Sequence, residues 1–475
     1  MSGTFYSNKV FQTLGCLEQA ETKRLLRYLK SPYFNQSKTL VRLCELLLIQ
    51  IERGKNGFFR QDIWRKLFPA TPYDDVNFRK YCSDLLGLVE GFMAQEAIQQ
   101  DPGRLSLELL KFVSSRKISP LYNSAVNSAR AAVDAQSYKS TSVYLKTFLV
   151  EQYYYALMDF DFKLNVRSNI EAISSNLDIF YFSEKLRLYC TALSRRKISN
   201  TAYQFEFMDE IRHLLETFPL EQTPELAIYY FSYKTLEDDS DESHYFNLRT
   251  LLDQYGAVMP RLEAIQIYDS ALHYCTGKLN QGNRVFLQEY FDLFQLALDQ
   301  KIFLYKNAFS SWRFNNANGV ALRLGKLDWA ENFVEQYKDY LPSEERHNTH
   351  SFNLARVFLY KKQYEKVLNL LQNVEYEDIG FNLISKTMLT ITYYELDEFE
   401  ALKSFTEAFK VFLNRQKDLA ETRKQSYLNL IKYVRKLIRL SPGDKAEIQQ
   451  LKDEITAEKA RIVNHEWLLE KLGEW

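Results

Sequence analysis

The stretch that decides the fold is residues 312–342, WRFNNANGVALRLGKLDWAENFVEQYKDYLP. It is the clearest of a series, beginning near Leu121, in which segments of helical periodicity alternate with short turns. Prolines mark the turns at Pro219, Pro260 and Pro342, so the gaps between them are 41 and 82 residues. Because the second gap is twice the first, the spacing predicts a repeat of about 40 residues, as in a solenoid of stacked helix hairpins.

The same stretch resembles the tetratricopeptide repeat. In that family a glycine turn is followed by a small residue that lets the second helix approach closely, then by bulky residues and a closing proline. The resemblance implies that Gly325 makes the turn, Ala330 is the small residue, Phe333 and Val334 supply the bulk, and Pro342 ends the unit.

The pattern recurs twice with looser residues. Val367 and Leu402 take the place of Ala330, at spacings of 37 and 35 residues, against a family period of 34. The resemblance covers Ala308–Phe412 and continues upstream, over Leu121–Leu298, as pattern only. We therefore expect an all-α protein whose larger part is a tetratricopeptide-like α-solenoid of helix hairpins.

The first 115 residues differ from the array and predict a separate N-terminal helical domain. Apolar periodicity and X-Pro breaks place four helices there, at Glu18–Lys30, Ser37–Arg53, Gln61–Phe68 and Asp74–Gln99. A break at Asp101-Pro102-Gly103 follows. The expected division is 1–115 for this domain, 116–440 for the repeat array and 441–475 for a C-terminal cap.

The last segment predicts one long capping helix from Asp444 to Leu472. An apolar residue recurs every seven positions, at Ile448, Ile455, Ile462 and Leu469. A coiled-coil dimer is the alternative reading of this heptad. Polar Glu458 and His465 interrupt the second apolar position of the heptad, which favours a cap over the last repeat.

Composition narrows the class of function. Lys and Arg total 61 and Asp and Glu total 61, so no global charge draws the chain toward nucleic acid or an anionic membrane. No stretch approaches the 18 or so uncharged apolar residues of a membrane span, and the first residues lack the apolar segment of an export signal. The five cysteines are odd in number and include no C-x-x-C pair. We expect a cytoplasmic protein with free thiols.

Two segments contain part of a catalytic motif, but each lacks residues that the motif requires. Residues 277–282, GKLNQG, have the glycines of a phosphate loop without its Lys and hydroxyl residue, and predict an inter-helix turn. His465-Glu466 begins a zinc-protease motif, but Leu469 replaces the second histidine. We therefore expect no enzymatic activity, no metal and no cofactor.

A polar line inside the array is the first candidate site. Counting back fourteen residues from Ala330 and Val367 reaches Asn316 and Asn353, and the looser preceding pair puts His273 at that position. The resemblance implies that this position faces the concave groove and holds peptide backbone. An asparagine amide can donate and accept hydrogen bonds at once, and bonds to neighbouring turns or to water are the alternative.

A basic stripe is the second candidate. Four cations share one helix face, opposite an apolar one, at Lys432, Arg435, Lys436 and Arg439. Residues 410–440 hold nine Lys or Arg against two Asp or Glu. An acidic partner or nucleic acid phosphate could bind there, and a solvated face is the alternative.

The third candidate lies in residues 60–86, from RQDIWRKLFP to NFRKYCSDLL. These residues are similar to the helix-turn-helix of bacterial antibiotic-regulatory activators, which also carry tetratricopeptide-like repeats after their DNA-binding domain. The resemblance implies DNA contacts from Asn77, Arg79 and Lys80. The sequence departs from the family because the helix continues past Leu86 and leaves no β-hairpin wing. The alternative is that Trp64 packs in the core of a helical bundle.

Two functions follow as expectations. The first is a non-enzymatic interaction scaffold whose concave repeat surface binds a protein or peptide, the identity of which the sequence does not give. The second is a transcriptional regulator in which residues 60–90 contact DNA and the array senses a partner.

Overall fold

The computed structural model describes residues 8–53, 60–136, 138–160, 166–199, 203–304, 309–371, 378–416, 419–440 and 445–474. Every regular element within those residues is a helix, so the all-α prediction is confirmed. The chain divides into two compact units, Met1–Lys185 and Leu186–Trp475. This division lies downstream of the boundary at residue 115 expected from the sequence. Ala308 and Asp444, which the sequence analysis used as segment limits, lie outside the described residues.

Among its described residues, the first unit contains eight helices and the beginning of a ninth, which continues into the second unit. They are α1 Lys9–Gly15, α2 Gln19–Lys30, α3 Lys38–Glu52, α4 Arg60–Leu67, α5 Asp75–Gln99, α6 Pro102–Ser115, α7 Tyr122–Asp134, α8 Thr141–Met158 and α9 Ile170–Ser199. The four helices predicted from the sequence are α2 to α5, with each boundary within one residue.

Short polar residues set where these helices begin. Asp74 accepts hydrogen bonds from the backbone N–H groups of Val76 and Asn77 at 2.9 and 3.0 Å, which satisfies donors that the first turn of α5 leaves open. Asp101 does the same for Arg104 at 3.0 Å, with proline in the first turn of α6. Helices α1 to α5 enclose one apolar core, and α6 to α8 enclose a second.

The second unit is a series of helix pairs. Its helices after α9 are α10 Met208–Glu216, α11 Pro224–Glu237, α12 Ser243–Tyr255, α13 Arg261–Asn280, α14 Val285–Asp299, α15 Ser311–Arg323, α16 Leu327–Tyr337, α17 Arg346–Tyr360, α18 Tyr364–Leu371, α19 Ile379–Glu395, α20 Phe399–Arg415, α21 Glu421–Arg439, α22 Lys445–Ala457 and α23 His465–Gly473. We call the odd-numbered members from α9 to α21 first helices and the even-numbered members from α10 to α20 second helices.

Packing within this unit follows chain order. From α13 to α21 each helix packs on the next, and first helices also contact one another, as α11 does with α13 and α17 with α15 and α19. From α11 to α21 the first helices start 37, 50, 35, 33 and 42 residues apart. The unit is therefore a stack of helix pairs of unequal size.

The turns inside four successive pairs share one conformation. Gly282, Gly325, Lys362 and Asp397 all have positive φ, at 92°, 73°, 57° and 58°. In each case the next residue donates its N–H to the carbonyl five positions back, as Lys326 does to Ala321 at 2.9 Å. This hydrogen bond closes the first helix of each pair. Gly282 thus lies in an inter-helix turn, as predicted for residues 277–282.

The second helices begin their packing at equivalent positions. Ala330, Val367 and Leu402 each follow the left-handed turn residue by five positions, and all three are fully buried. In the preceding pair the buried residue is Phe286, whereas Leu287, which the sequence analysis placed there, is only partly buried. The register read from the sequence is therefore one residue off in that pair.

The C-terminal segment is two helices, so the prediction of one long capping helix is wrong. A 3-10 turn at Lys459–Arg461 follows α22, and Asn464, at φ 54°, lies in the left-handed region just before α23. The chain therefore folds back, and both halves bury apolar residues against α19 and α21. The seven-residue recurrence reflects these two short faces. Ile455 and Ile462 are buried on either side of the break.

Candidate binding cleft on the first helices

A cleft of about 430 Å³ lies in the second unit, on three successive first helices. Its wall combines small and hydroxyl side chains with a few charged ones. The wall residues include Cys190, Thr191 and Arg187 of α9, Tyr229, Ser232 and Thr235 of α11, Asp269, Ser270, His273, Tyr274 and Lys278 of α13, and Asp239. Small side chains leave this space because they do not fill the grooves between the helices.

Helix α11 contributes the central part of the cleft wall and is buried on nearly every side. Residues 225–230, 232, 233, 235 and 236 are all buried. A helix of this kind lies between neighbours on every side. Tyr229 donates a hydrogen bond from its hydroxyl to Glu263 of α13 at 3.0 Å. The Cys190 thiol of α9 lies 3.9 Å from the Tyr229 carbonyl oxygen, so all three helices are tied together at this point.

Hydroxyl groups of the wall have their donors occupied. Thr191, Ser232 and Thr235 donate to the carbonyls of Arg187, Ile228 and Phe231 at 3.0, 2.7 and 2.6 Å. A hydroxyl has one hydrogen to donate and two lone pairs. These three groups can therefore still accept hydrogen bonds from N–H groups placed in the cleft.

Two charged groups of the wall, Lys278 and Asp269, are paired. Lys278 lies 3.1 Å from Glu242 and stands over the Tyr274 ring at 5.5 Å. Asp269 accepts two hydrogen bonds from the Arg313 guanidinium, at 2.9 and 2.7 Å. These two groups therefore add little net charge to the cleft, whose wall also includes Arg187, Arg195 and Asp239.

Cys190 is not poised as a nucleophile. Burial raises the pKa of its thiol to about 12, so the sulfur is protonated at neutral pH. A thiol of this kind is structurally buried rather than reactive.

His273 and Trp312 form the rim. Their rings stack with centroids 4.2 Å apart and an interplanar angle of 10°. Trp312, on α15, is 38% exposed, and His273 is exposed as well. The His273 Nδ1 atom lies 2.7 Å from the Asp269 carbonyl oxygen, which fixes the ring. Of the three groove residues predicted from sequence, His273 lines the cleft.

Asn353 is not a groove residue, which corrects the sequence analysis. It is fully buried between α15 and α17. Its amide donates to the Asn315 side-chain oxygen and, at 2.8 Å, to the Thr349 carbonyl, and it accepts from the Asn318 amide at 3.0 Å. The position along the helix was predicted correctly, but the neighbouring helix occupies the side that this position faces.

Asn316 is partly buried, and its side-chain nitrogen has no hydrogen-bond partner among the described residues. It lies on α15, one position from Asn315 of the buried cluster. The two asparagines that the sequence placed at equivalent positions therefore have different surroundings, and they do not form one polar line.

Two of the four cations in the predicted basic stripe form ion pairs with acids on other helices. Arg435 lies 2.8 Å from Glu407 of α20, and Lys436 lies 2.5 Å from Glu454 of α22. The Lys436 ammonium holds the pKa of Glu454 below its usual range. Lys432 and Arg439 remain exposed. The stripe is thus not one open cationic patch, because α20 and α22 supply acids that the sequence pattern of α21 could not show.

The predicted DNA-contact residues lie beside acids. Asn77 donates to Asp74 at 2.6 Å and Arg79 pairs with Asp75 at 2.6 Å, while Lys80 is exposed. Trp64 packs against Phe68, Tyr73 and Phe78, with ring centroids 4.6, 6.0 and 6.4 Å away. It also donates to the Pro72 carbonyl at 2.9 Å. The alternative reading, a tryptophan that packs a helical bundle, describes its surroundings.

Sequence reasoning missed the cleft itself. Serine and threonine inside a helical pattern carry no motif, and their common role is to bond the preceding turn, as Ser232 does here. The available signal was that Cys190, Ser194, Ser232 and Ser270 put small residues on three first helices in succession.

No protein-family model, curated protein or solved structure matches this chain. Among the described residues, no helix is both long enough and apolar enough to cross a membrane.

Proposed function

We propose that this protein is a non-enzymatic interaction scaffold whose stacked first helices bind an extended segment of a partner protein. The observation that carries the proposal is the cleft of about 430 Å³ on α9, α11 and α13, with the His273–Trp312 stack on its rim. Its volume falls in the range of about 300–1,000 Å³ that is typical of ligand sites.

The chemistry of the wall supports a peptide as the ligand. An extended chain offers a backbone N–H at each residue other than proline. The hydroxyls of Thr191, Ser232 and Thr235 retain lone pairs for those donors, because their own hydrogens are used within their helices. Each such bond would contribute about 1 kcal/mol net.

The rim supplies apolar area. An exposed indole, held by stacking on His273, is a rigid surface for an apolar or aromatic side chain of the partner. The tetratricopeptide-like pattern of residues 308–412 agrees with this role, since arrays of helix pairs commonly bind partners on an extended surface.

The test is selection of peptides from a displayed library on the immobilised full-length protein, followed by calorimetry. The decisive variant is Ser270→Trp, which fills the cleft at a partly buried position. Thr250→Trp, on the exposed side of α12, is the matched control. We expect selected peptides to bind the wild type and the control alike, and to lose binding to Ser270→Trp. Equal binding to all three proteins, or no selected peptide, would sink the proposal.

A further inference from the structure

A second site lies outside the cleft, where α17 crosses α15. Arg356 of α17 extends over α15 and donates from Nη1 to the Asn315 carbonyl at 2.9 Å. Its guanidinium also lies 5.6 Å from the centre of the Phe352 ring. The residue is partly buried, and its Nε and Nη2 atoms keep some contact with solvent.

The guanidinium occupies a space that a glycine creates. Gly319 is buried in the middle of α15, where glycine is less favourable than alanine by roughly 0.5–1 kcal/mol. A β-carbon at this position would overlap Nη2 of Arg356. The close approach of Arg356 to α15 therefore depends on the absence of a side chain at residue 319.

No acid balances this charge in the described part of the chain. Arg356 forms no ion pair there, and its one hydrogen bond goes to a neutral carbonyl. Arg323, exposed and four positions after Gly319 on α15, adds a second cation. Burial lowers the pKa of Arg356; the Tyr360 phenol opposes this shift, and the positive charge of Arg323 adds to it. A partly desolvated guanidinium is costly unless an anion pairs with it.

We propose that Arg356 and Arg323 form an oxyanion site that takes the carboxylate of an acidic side chain in a bound peptide segment. A guanidinium offers parallel N–H donors that match the two oxygens of a carboxylate. The inference rests on the proposed function only in taking the first helices as the binding face. Asn316, whose buried amide nitrogen lacks a partner among the described residues, is a further donor on the same helix.

The test uses the full-length protein and calorimetric titration at constant ionic strength. The probes are a hexaglutamate peptide, a hexaglutamine peptide and inorganic phosphate. We expect hexaglutamate to bind and hexaglutamine not to bind. Arg356→Gln should weaken hexaglutamate binding by about 10- to 100-fold, the loss typical of hydrogen bonds to a charged group. Arg104→Gln removes an exposed cation from α6, outside every proposed site, and should leave binding unchanged.

A second variant separates loss of the site from loss of the fold in Arg356→Gln. Gly319→Ala keeps both charges but displaces the guanidinium, so it should also weaken binding of hexaglutamate. Ser270→Trp blocks the cleft and should not affect it, so that this site and the proposed function fail separately. Equal binding by wild type and Arg356→Gln overturns the site. Binding of phosphate alone overturns its assignment to a peptide carboxylate.

Discussion

Two neighbouring helix pairs, α15–α16 and α17–α18, differ in how an arginine of the first helix is paired. Each sends an arginine from its first helix across to the preceding first helix. Arg313 of α15 is paired by two hydrogen bonds to Asp269 of α13, and its side chain is 5% exposed. Arg356 of α17 reaches the Asn315 carbonyl and no acid among the described residues.

The turns within the two pairs differ in the same sense. Gly325 adopts its positive φ without a steric penalty, whereas Lys362 holds φ 57° with a side chain. A non-glycine residue in this region costs roughly 1–2 kcal/mol. The α17–α18 pair thus carries two local costs that its neighbour avoids. The stack therefore concentrates unfavourable groups in one pair, and one of these groups, Arg356, lies where we propose a ligand.

The largest effect is expected from Asp269→Ala. It leaves Arg313 buried without its acid, and breaking a buried pair in this way costs about 3–5 kcal/mol. Urea denaturation monitored by tryptophan fluorescence measures the loss. The control is Asp292→Ala on the exposed face of α14, which should change the free energy of unfolding by less than about 0.5 kcal/mol. A loss of the same size in both variants would remove the distinction between the two arginines.

Asn353→Ala should have the next largest effect. Its amide bridges the two pairs by bonds to Asn315 and Asn318. Removing it leaves the buried Asn315 oxygen without that donor and should cost about 2–3 kcal/mol. Asn316→Ala, which removes an amide nitrogen with no partner among the described residues, should cost less than about 1 kcal/mol. Comparable losses in the two variants would show that the buried cluster does not join the pairs.

Gly319→Ala tests the space that Arg356 occupies. In the wild type the new methyl overlaps the guanidinium, which is the far end of a flexible side chain and must move aside, so the net loss should be below about 1 kcal/mol. In an Arg356→Ala background the overlap is gone, so the same change should stabilise the helix by roughly 0.5–1 kcal/mol. A double-mutant cycle of unfolding free energies measures this reversal. If Gly319→Ala has the same sign in both backgrounds, Arg356 does not depend on the glycine.

The smallest effect belongs to the turns. Lys362→Gly should stabilise the protein by up to about 1 kcal/mol, because it relieves the left-handed strain. It also removes an ion pair with Glu470 at 3.0 Å, exposed on both sides, and such a pair contributes only about 0–1 kcal/mol. Gly325→Lys should lose about 1 kcal/mol. The thermal midpoints of the two variants should therefore move in opposite directions, and movement in the same direction contradicts the assignment of strain.

The sequence predicts the fold well because helices are encoded locally. Periodicity, caps and prolines placed α2 to α5 within one residue, and the spacing of Ala330, Val367 and Leu402 gave three equivalent buried positions. The break between α22 and α23 was missed because a left-handed asparagine in a repeating apolar pattern leaves that pattern intact.

The candidate sites were harder to predict because they depend on which helices are neighbours. His273, predicted to face a groove, lines the cleft, but Asn353 was assigned to a surface that α15 covers. The acids that pair with Arg435 and Lys436 lie on other helices. Arg356 and Gly319 are 37 positions apart in the chain, and neither residue alone indicates that the space left by one is filled by the other.

The way α23 folds back also has a consequence for where the stack opens. Trp467 and Lys471 both reach Glu395 at the end of α19, at 2.6 and 3.0 Å. In a stack whose contacts run mainly between neighbours, transient opening starts at the ends and spreads inward. These contacts join α23 directly to α19, bypassing α20 and α21, and so hold the last part of the stack together. Amide protons of α21 should therefore exchange with solvent together with those of α19, as one cooperative segment rather than as a frayed end.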